Sequence, residues 1–268
     1  MTVLEFTKNL AHQVGNLLLD YYQTSGIQAI LKSDHSLVTE ADLAADRMII
    51  QYIRENYPED FILSEELHPG SPTEIEIRDR AVWIIDPLDG TTNFSLGLHI
   101  WGILLTRLER GIPQTTVMYF PIMNELYSAQ REAGAWMNEN RLQVRPPKAE
   151  QPLPFFACCS RTFRRYHVNV PYKTRILGSS AYTFSAVARG IAILGFEATP
   201  KIWDIAGPWL LVREAGGVIE TLDGVQPFPL QPGVDYVTTS YPTLAASTPQ
   251  LAAEAHQQII PKETASGL

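Results

Sequence analysis

The chain has 268 residues, 45% of them hydrophobic, enough for a substantial core in one large domain or two small ones. Its 21 lysines and arginines stand against 29 aspartates and glutamates, a formal net charge of -8 with no basic run, so no nucleic-acid partner is expected. No apolar stretch approaches the roughly 20 residues that span a bilayer, so no membrane association is expected either.

Leu4 to Tyr22 carries apolar residues at helical spacing (Leu10, Val14, Leu17, Leu18, Tyr21), which predicts an amphipathic helix and not a signal peptide. A polar turn, SDHS (33–36), leads to a second helix over 39–58, capped by Thr39 and closed by Pro58. DFILSEE (60–66) reads as a short strand ending in acid, HPGSPTE (68–74) as a loop, and AVWIID (81–86) as a buried strand. Residues 100–144 read as consecutive strands turning near ERG and NEN. The proline-rich RPPKAEQPLP (145–154) is the best boundary, dividing the chain into subdomains 1–150 and 151–268. Beyond it, FFACCS (155–160), IAILGFE (191–197), GVIET (217–221) and DYVTTS (235–240) are predicted strands. SSAYTFSAVARG (179–190), DIAGPWLLVREAGG (204–217) and 242–259 are predicted helices. Helices and strands mix without regular alternation, which indicates an α+β fold of layered sheets covered by helices. The adjacent Cys158 and Cys159 suit small buried thiols in a reducing cytoplasm better than a disulfide framework.

Acidic residues recur at the ends of apolar elements. Glu65 and Glu66 follow FILS, Asp86 and Asp89 follow VWII, Asp204 follows KIW, and Asp42 sits in a first helical turn. Asp42 and Asp204 are also explained as favourable charges at helix N-termini, and Asp46 and Glu66 as structural or solvated charges. The Asp86/Asp89 pair is harder to dismiss. Two like charges at the edge of a core repel and are costly to desolvate, so something positive should compensate them. Clustered carboxylates are hard oxygen ligands for magnesium, manganese or calcium, and the six histidines show no close pairing that would favour zinc. Gly90 lets the backbone approach a ligand, and the amides after it offer donors to an anion. Cations on one side and amide donors on the other are what a phosphate needs; no Walker-type phosphate loop occurs.

WIIDPLDGTTNF (83–94), with SEE (64–66) before it and WDIAGPWLLVREAGG (203–217) after it, resembles the inositol monophosphatase family. Lys32 with LVTEAD (37–42), and FPIMNELYSAQREAGAWMNENRL (120–142), are similar to the same family. The resemblance implies a layered αβαβα sandwich and a magnesium-dependent, lithium-sensitive phosphomonoesterase, usually a dimer. It implies two or three Mg2+ per active site: one held by Glu65, Asp86 and the Leu88 carbonyl, one by Asp86, Asp89 and Asp204, and a weaker third near Glu65. Thr91, supported by Asp42, would orient the attacking water, and the amides of Gly90 and Thr91 would hold the phosphate. Gly178, Ser179, Ser180 and Glu197 match the family's contacts to the alcohol portion, although a strand-end glutamate exposed to solvent would also explain Glu197. The resemblance puts most metal ligands in the first subdomain, and Asp204 with the substrate contacts in the second.

The expected reaction is hydrolysis of a small phosphate monoester, myo-inositol monophosphate foremost, by direct attack of a metal-activated water. Histidinol phosphate, fructose 1,6-bisphosphate or a 3'-phosphonucleotide are the alternative substrates, and a non-catalytic role beside transcription or RNA machinery is the alternative function. Departures from the family pattern lie beside the ligands: Ser36 where an aspartate is usual, a shortened loop after Lys32, Trp101, and Pro208 and Trp209 in place of small residues.

Overall fold

Nine consecutive buried residues, Ala81–Asp89, form the strand around which the larger sheet is assembled. The structure is a computed structural model and describes residues 1–23, 29–31, 37–67, 72–146 and 155–262. Lys32, Ser36, the turn at 33–36, most of the loop at 68–74 and most of the boundary at 145–154 lie outside the described residues.

In chain order the first elements are α1 (Val3–Gln23), β1 (Ala29–Leu31), β2 (Leu37–Thr39), α2 (Glu40–Asn56), β3 (Phe61–Ser64), α3 (Glu74–Asp79) and β4 (Ala81–Asp89). Next come α4 (Thr91–Ser95), β5 (Gly102–Glu109), β6 (Ile112–Phe120), β7 (Glu125–Gln130), β8 (Gly134–Met137) and β9 (Asn140–Arg141). There follow β10 (Phe155–Cys158), α5 (Thr162–Arg165), β11 (Tyr166–Val168), β12 (Lys173–Ile176), α6 (Ser180–Ala188) and β13 (Ala192–Glu197). The last are α7 (Ile202–Glu214), β14 (Val218–Thr221), β15 (Thr243–Ala246), α8 (Pro249–Gln258) and β16 (Ile259–Pro261). Strands β3 to β9 form one sheet in sequence order, antiparallel except for the parallel pair β3–β4. A second sheet has the order β12-β10-β13-β15-β14.

The period-two alternation of a strand divides the core into layers. On β4, Trp83 and Ile85 pack with Phe6, Leu10, Val14 and Leu18 of α1 and Ile49 and Ile53 of α2. Val82 and Ile84 point the other way, into the cluster that holds Ala206, Trp209 and Leu210 of α7. Helix α7 is apolar on every side, buried at every position from Ile202 to Val212 except the partly buried Asp204, as suits a helix enclosed between layers. Helix α6 packs beside it, and the second sheet lies beyond them. That sheet's outer face, with Phe156, Leu194, Phe196 and Leu244, is closed by Leu251, Ala252 and Ala255 of α8. The layering is αβαβα. Among the described residues, no helix is long and apolar enough to cross a membrane.

Several local expectations are corrected. β4 does not stop at Asp86 but runs to Asp89 through Pro87, and its register against β5 slips there, with Asp86 opposite Leu104 and Asp89 opposite Gly102. A proline with no N–H to donate fits such an irregularity. DYVTTS is not a strand: the Asp235 carboxylate accepts the Val237 amide (3.0 Å), the Thr238 amide (3.3 Å) and the Thr238 hydroxyl (2.7 Å), which curls the segment into a turn. The helix expected over 242–259 begins at Pro249, because Thr243–Ala246 is taken by pairing with β13 and β14. Helix α3 was not anticipated, although Thr73 and Glu76 form a capping box at its start. Pro208 lies inside α7. Trp209 finds room edge-on to Phe228, with ring centroids 5.7 Å apart, and Trp101 is fully buried between Phe94 (4.9 Å) and Tyr22 (5.3 Å).

Candidate active site

β4 carries two carboxylates inward where its ladder is interrupted: Asp86 is 1% exposed and Asp89 5%. Asp86 Oδ1 accepts the Leu88 amide at 3.0 Å, closing the turn around Pro87. At Gly90 the chain has φ +89° as it enters α4, and a Cβ there would stand 2.9 Å from the Ile100 carbonyl oxygen, so both angle and space call for glycine. Asn93 on α4 donates from Nδ2 to the carbonyls of Ile100 (2.7 Å) and Leu177 (2.9 Å), tying this turn to the segment ahead of α6. Gly178 (φ +75°) sits against that tie, 2.6 Å from Asn93 Oδ1 to where its Cβ would be.

Three further elements bring carboxylates to the same place. Asp42 is buried at the start of α2, where its Oδ2 accepts the Thr39 amide (2.8 Å) and the Thr39 hydroxyl in a capping box. Its other oxygen, Oδ1, lies 3.1 Å from the Thr91 hydroxyl, which is also 3.1 Å from the Leu88 carbonyl oxygen. Asp42 is thus both a helix cap and the partner of Thr91; the two sequence explanations do not exclude each other. Asp204 is the third residue of α7, and its Oδ2 accepts the Lys201 amide at 2.6 Å. Glu65 follows β3 and donates its amide to the Ile85 carbonyl at 3.1 Å, which fixes it beside β4. Asp46 is buried and accepts the Ser64 hydroxyl at 2.6 Å, which accords with a structural role.

The electrostatics are unfavourable without a cation. Oxygen atoms of Asp86, Asp89 and Asp204 all lie within 4.8 Å of one another. Burial, followed by the charges of Glu65, Asp89 and Asp204, pushes the Asp86 carboxyl well above its ordinary range. Burial, then Asp89 and Glu65, do the same to Asp204. Asp89 is pushed up to about 6 by burial, against opposing hydrogen bonds from Ser179, Ser180 and Ala181. No cationic side chain among the described residues forms an ion pair with any of the three. Buried, mutually repelling, all-oxygen ligands fit a hard divalent cation such as magnesium.

Beside this cleft opens a cavity of about 340 Å³ that contains Gly178, Ser179, Ser180 and Glu197 together with Glu65, Asp89 and Asp204. Glu197 is buried, not solvent-exposed, and burial pushes its carboxyl up to about 8. Every residue expected to hold metal or substrate, Leu88, Gly90 and Thr91 included, borders this cavity or the adjoining cleft, and Asp42 reaches the cleft through Thr91. Sequence reasoning gave no role at this site to Arg161, Lys201, Cys159 or the tie made by Asn93, although Lys201 stands in KIW, Cys159 in FFACCS and Asn93 in the 83–94 motif.

The sequence pattern of the inositol monophosphatase family matches residues 1–260. The chain belongs to that family. Its relatives include Nus factor SuhB of Pasteurella multocida, 32% identical over 97% of this chain and 96% of the relative. Nus factor SuhB of Escherichia coli K12 is 33% identical over 83% of this chain and 86% of its own length. Among solved structures, an IMPase from Thermotoga maritima superposes with a TM-score of 0.78 at 26% identity, covering 96% of each chain. An IMPase/NADP phosphatase complexed with Mg2+ and phosphate has a TM-score of 0.75 over 92% of each chain, at 22% identity a likeness of fold alone. The α+β sandwich expected from the resemblance is therefore the inositol monophosphatase fold.

The expectation of no nucleic-acid partner is corrected by these relatives, whose name belongs to transcription machinery. The premise was too narrow. A missing basic run speaks only to direct neutralisation of phosphates by clustered lysine and arginine. It is silent on association through protein partners and on cations that folding gathers.

Proposed function

We propose that the chain hydrolyses a small phosphate monoester of a polyol or sugar, with myo-inositol monophosphate as the reference substrate, using magnesium. The observation that carries this reading is the Thr91 hydroxyl, hydrogen-bonded to the buried Asp42 beside the cluster of Asp86, Asp89 and Asp204. Glu65, Asp86 and the Leu88 carbonyl would hold one cation, Asp86, Asp89 and Asp204 a second, with a third near Glu65. Magnesium bound there would neutralise the phosphate dianion and lower the pKa of a water.

The remaining steps belong to the chain. With its proton directed to Asp42 Oδ1, Thr91 Oγ1 keeps lone pairs free to accept a hydrogen bond from the attacking water and hold it in line. Burial raises the Asp42 carboxyl, which favours proton uptake from Thr91 as Thr91 takes the water's proton. The amides of Gly90 and Thr91 would receive phosphate oxygens, and Glu197, Ser179 and Ser180 the substrate's hydroxyl groups. In this reading residues 1–150 supply most cation ligands, and 151–268 supply Asp204 and the substrate contacts. Lithium sensitivity, a cytoplasmic location and a homodimer belong to the same proposal.

The test is phosphate release from a panel of inositol, sugar, amino-alcohol and nucleotide monophosphates, with magnesium and with a chelator. Release from a polyol or sugar phosphate that stops in the chelator is expected. No release from any compound, or full activity in the chelator, would overturn the reading. A second reading is favoured by the relatives named Nus factor: the chain also associates with transcription machinery. Capture of transcription proteins by an Asp86→Asn variant lacking activity would separate that role from catalysis.

A further inference from the structure

The cavity beside the carboxylate cleft is not uniformly acidic. Two cations, Arg161 and Lys201, border it. Neither forms an ion pair among the described residues. Their head groups rest instead on neutral acceptors: Arg161 Nη1 donates to Thr199 Oγ1 at 2.9 Å, and Lys201 Nζ to the Thr238 carbonyl at 2.8 Å. A guanidinium has five N–H donors and an ammonium three, so most of this donor capacity is open to a ligand.

Neither side chain is among the main influences on the Asp86, Asp89, Glu197 or Asp204 carboxyls; Lys201 reaches Asp204 through its backbone amide. The exposed Asp235 is held down first by the Thr238 hydroxyl and only lastly by Lys201. A neutral polyol would satisfy Glu197 yet leave two cations facing ligand atoms of no charge. An anionic substituent would convert both into charge-assisted contacts. Position separates Lys201 from binding of the cleaved phosphate, because it borders the cavity alone, whereas Arg161 borders both the cavity and the cleft of Asp86 and Thr91 and stands between the two.

We propose that Arg161 and Lys201 form a subsite for a second anionic group, so that the preferred substrate is a phosphate monoester whose alcohol portion carries a further phosphate or carboxylate. The proposal rests on the phosphomonoesterase reading for the cleaved group. The reaction remains a hydrolysis: water adds at phosphorus, the ester P–O bond breaks, inorganic phosphate and the alcohol leave, and the second anion is bound but not cleaved.

The test compares matched pairs: inositol 1-phosphate with inositol 1,4-bisphosphate, and glycerol 2-phosphate with 2-phosphoglycerate. Affinity is measured by calorimetry with calcium in place of magnesium, and phosphate release is followed separately with magnesium. The doubly anionic member of at least one pair should bind about tenfold or more tightly, and the margin should shrink as salt rises. The pair that shows the margin tells phosphate from carboxylate. Arg161→Gln and Lys201→Gln should each narrow the margin, their combination should abolish it, and Lys201→Arg should keep it. Equal affinity within both pairs in the wild type overturns the proposal. So does a margin that survives the double substitution, or an Arg161→Gln loss that is the same for both members. If the margin holds while no compound is hydrolysed, the phosphomonoesterase reading fails and the anion subsite stands.

Discussion

Asp89 and Ser179, 90 residues apart in the chain, are joined by a hydrogen bond from the Ser179 hydroxyl to the Asp89 carboxylate. The Ser180 and Ala181 amides donate to the same carboxylate at 3.1 and 3.2 Å. The anion that ends β4 therefore also sits at the positive end of α6, which lowers its cost of burial. Ser179 additionally caps α6 by accepting the Tyr182 amide at 3.0 Å.

Ser179→Ala should lose both the cap and the bond to Asp89. A destabilisation of about 1–2 kcal/mol in urea unfolding is expected, with more magnesium needed for half-maximal stabilisation. Unchanged values of both would mean that the α6 amides alone hold Asp89.

Thr91→Ala should lower kcat on the order of 10²-fold while leaving magnesium affinity nearly intact, because Thr91 positions a water and is not expected to hold an ion through its side chain. Thr91→Ser should retain much of the rate. Single-turnover kinetics beside magnesium titration will separate the two effects; a large loss of magnesium affinity would reassign the residue.

Magnesium should stabilise the protein in a pH-dependent way. Asp89 is raised from 3.8 to about 6, and Asp86 and Asp204 are raised well above 3.8. The folded, metal-free protein thus keeps protons that the unfolded chain gives up. The stability those protons confer is present at low pH and fades as pH rises through the folded pKa values, by about 3 kcal/mol for Asp89 alone. A cation replaces them at neutral pH. The Tm gained on adding magnesium should therefore be small near about pH 5 and larger near about pH 7.5. A gain independent of pH would place the ion elsewhere.

Glu197→Gln should raise KM for a polyol phosphate and leave an aryl phosphate nearly unaffected, because a site built to bond hydroxyls discriminates against substrates that lack them. Steady-state kinetics on both will decide it, and equal losses would make Glu197 a structural residue.

The parts of this molecule that were legible in the sequence are those where one local requirement dominates. The apolar run before Asp86, the glycine at 90 and the alternating strands of 100–144 each declare themselves through period, space or backbone angle. Asp42 was legible twice, as a cap and as a functional carboxylate. Asp235 shows the limit: DYVTTS has strand-forming residues, but three bonds to one carboxylate outweigh that tendency. Thr243–Ala246 could not be assigned locally, because its strand exists through partners from β13 and β14. Arg161 and Lys201 carry no motif, and only folding brings them to one cavity.

The carboxylate cluster draws its members from different layers: Asp86 and Asp89 end a strand of the larger sheet, while Asp204 begins the helix enclosed between the sheets. An ion shared by them would act as a rivet through the sandwich, fastening two layers that otherwise meet through apolar packing and side-chain hydrogen bonds. Stripping it would release a seam between layers instead of a single loop. The first regions to gain amide exchange would then be the facing ends of β4, α6 and α7, well before the outer helices α1 and α8 respond.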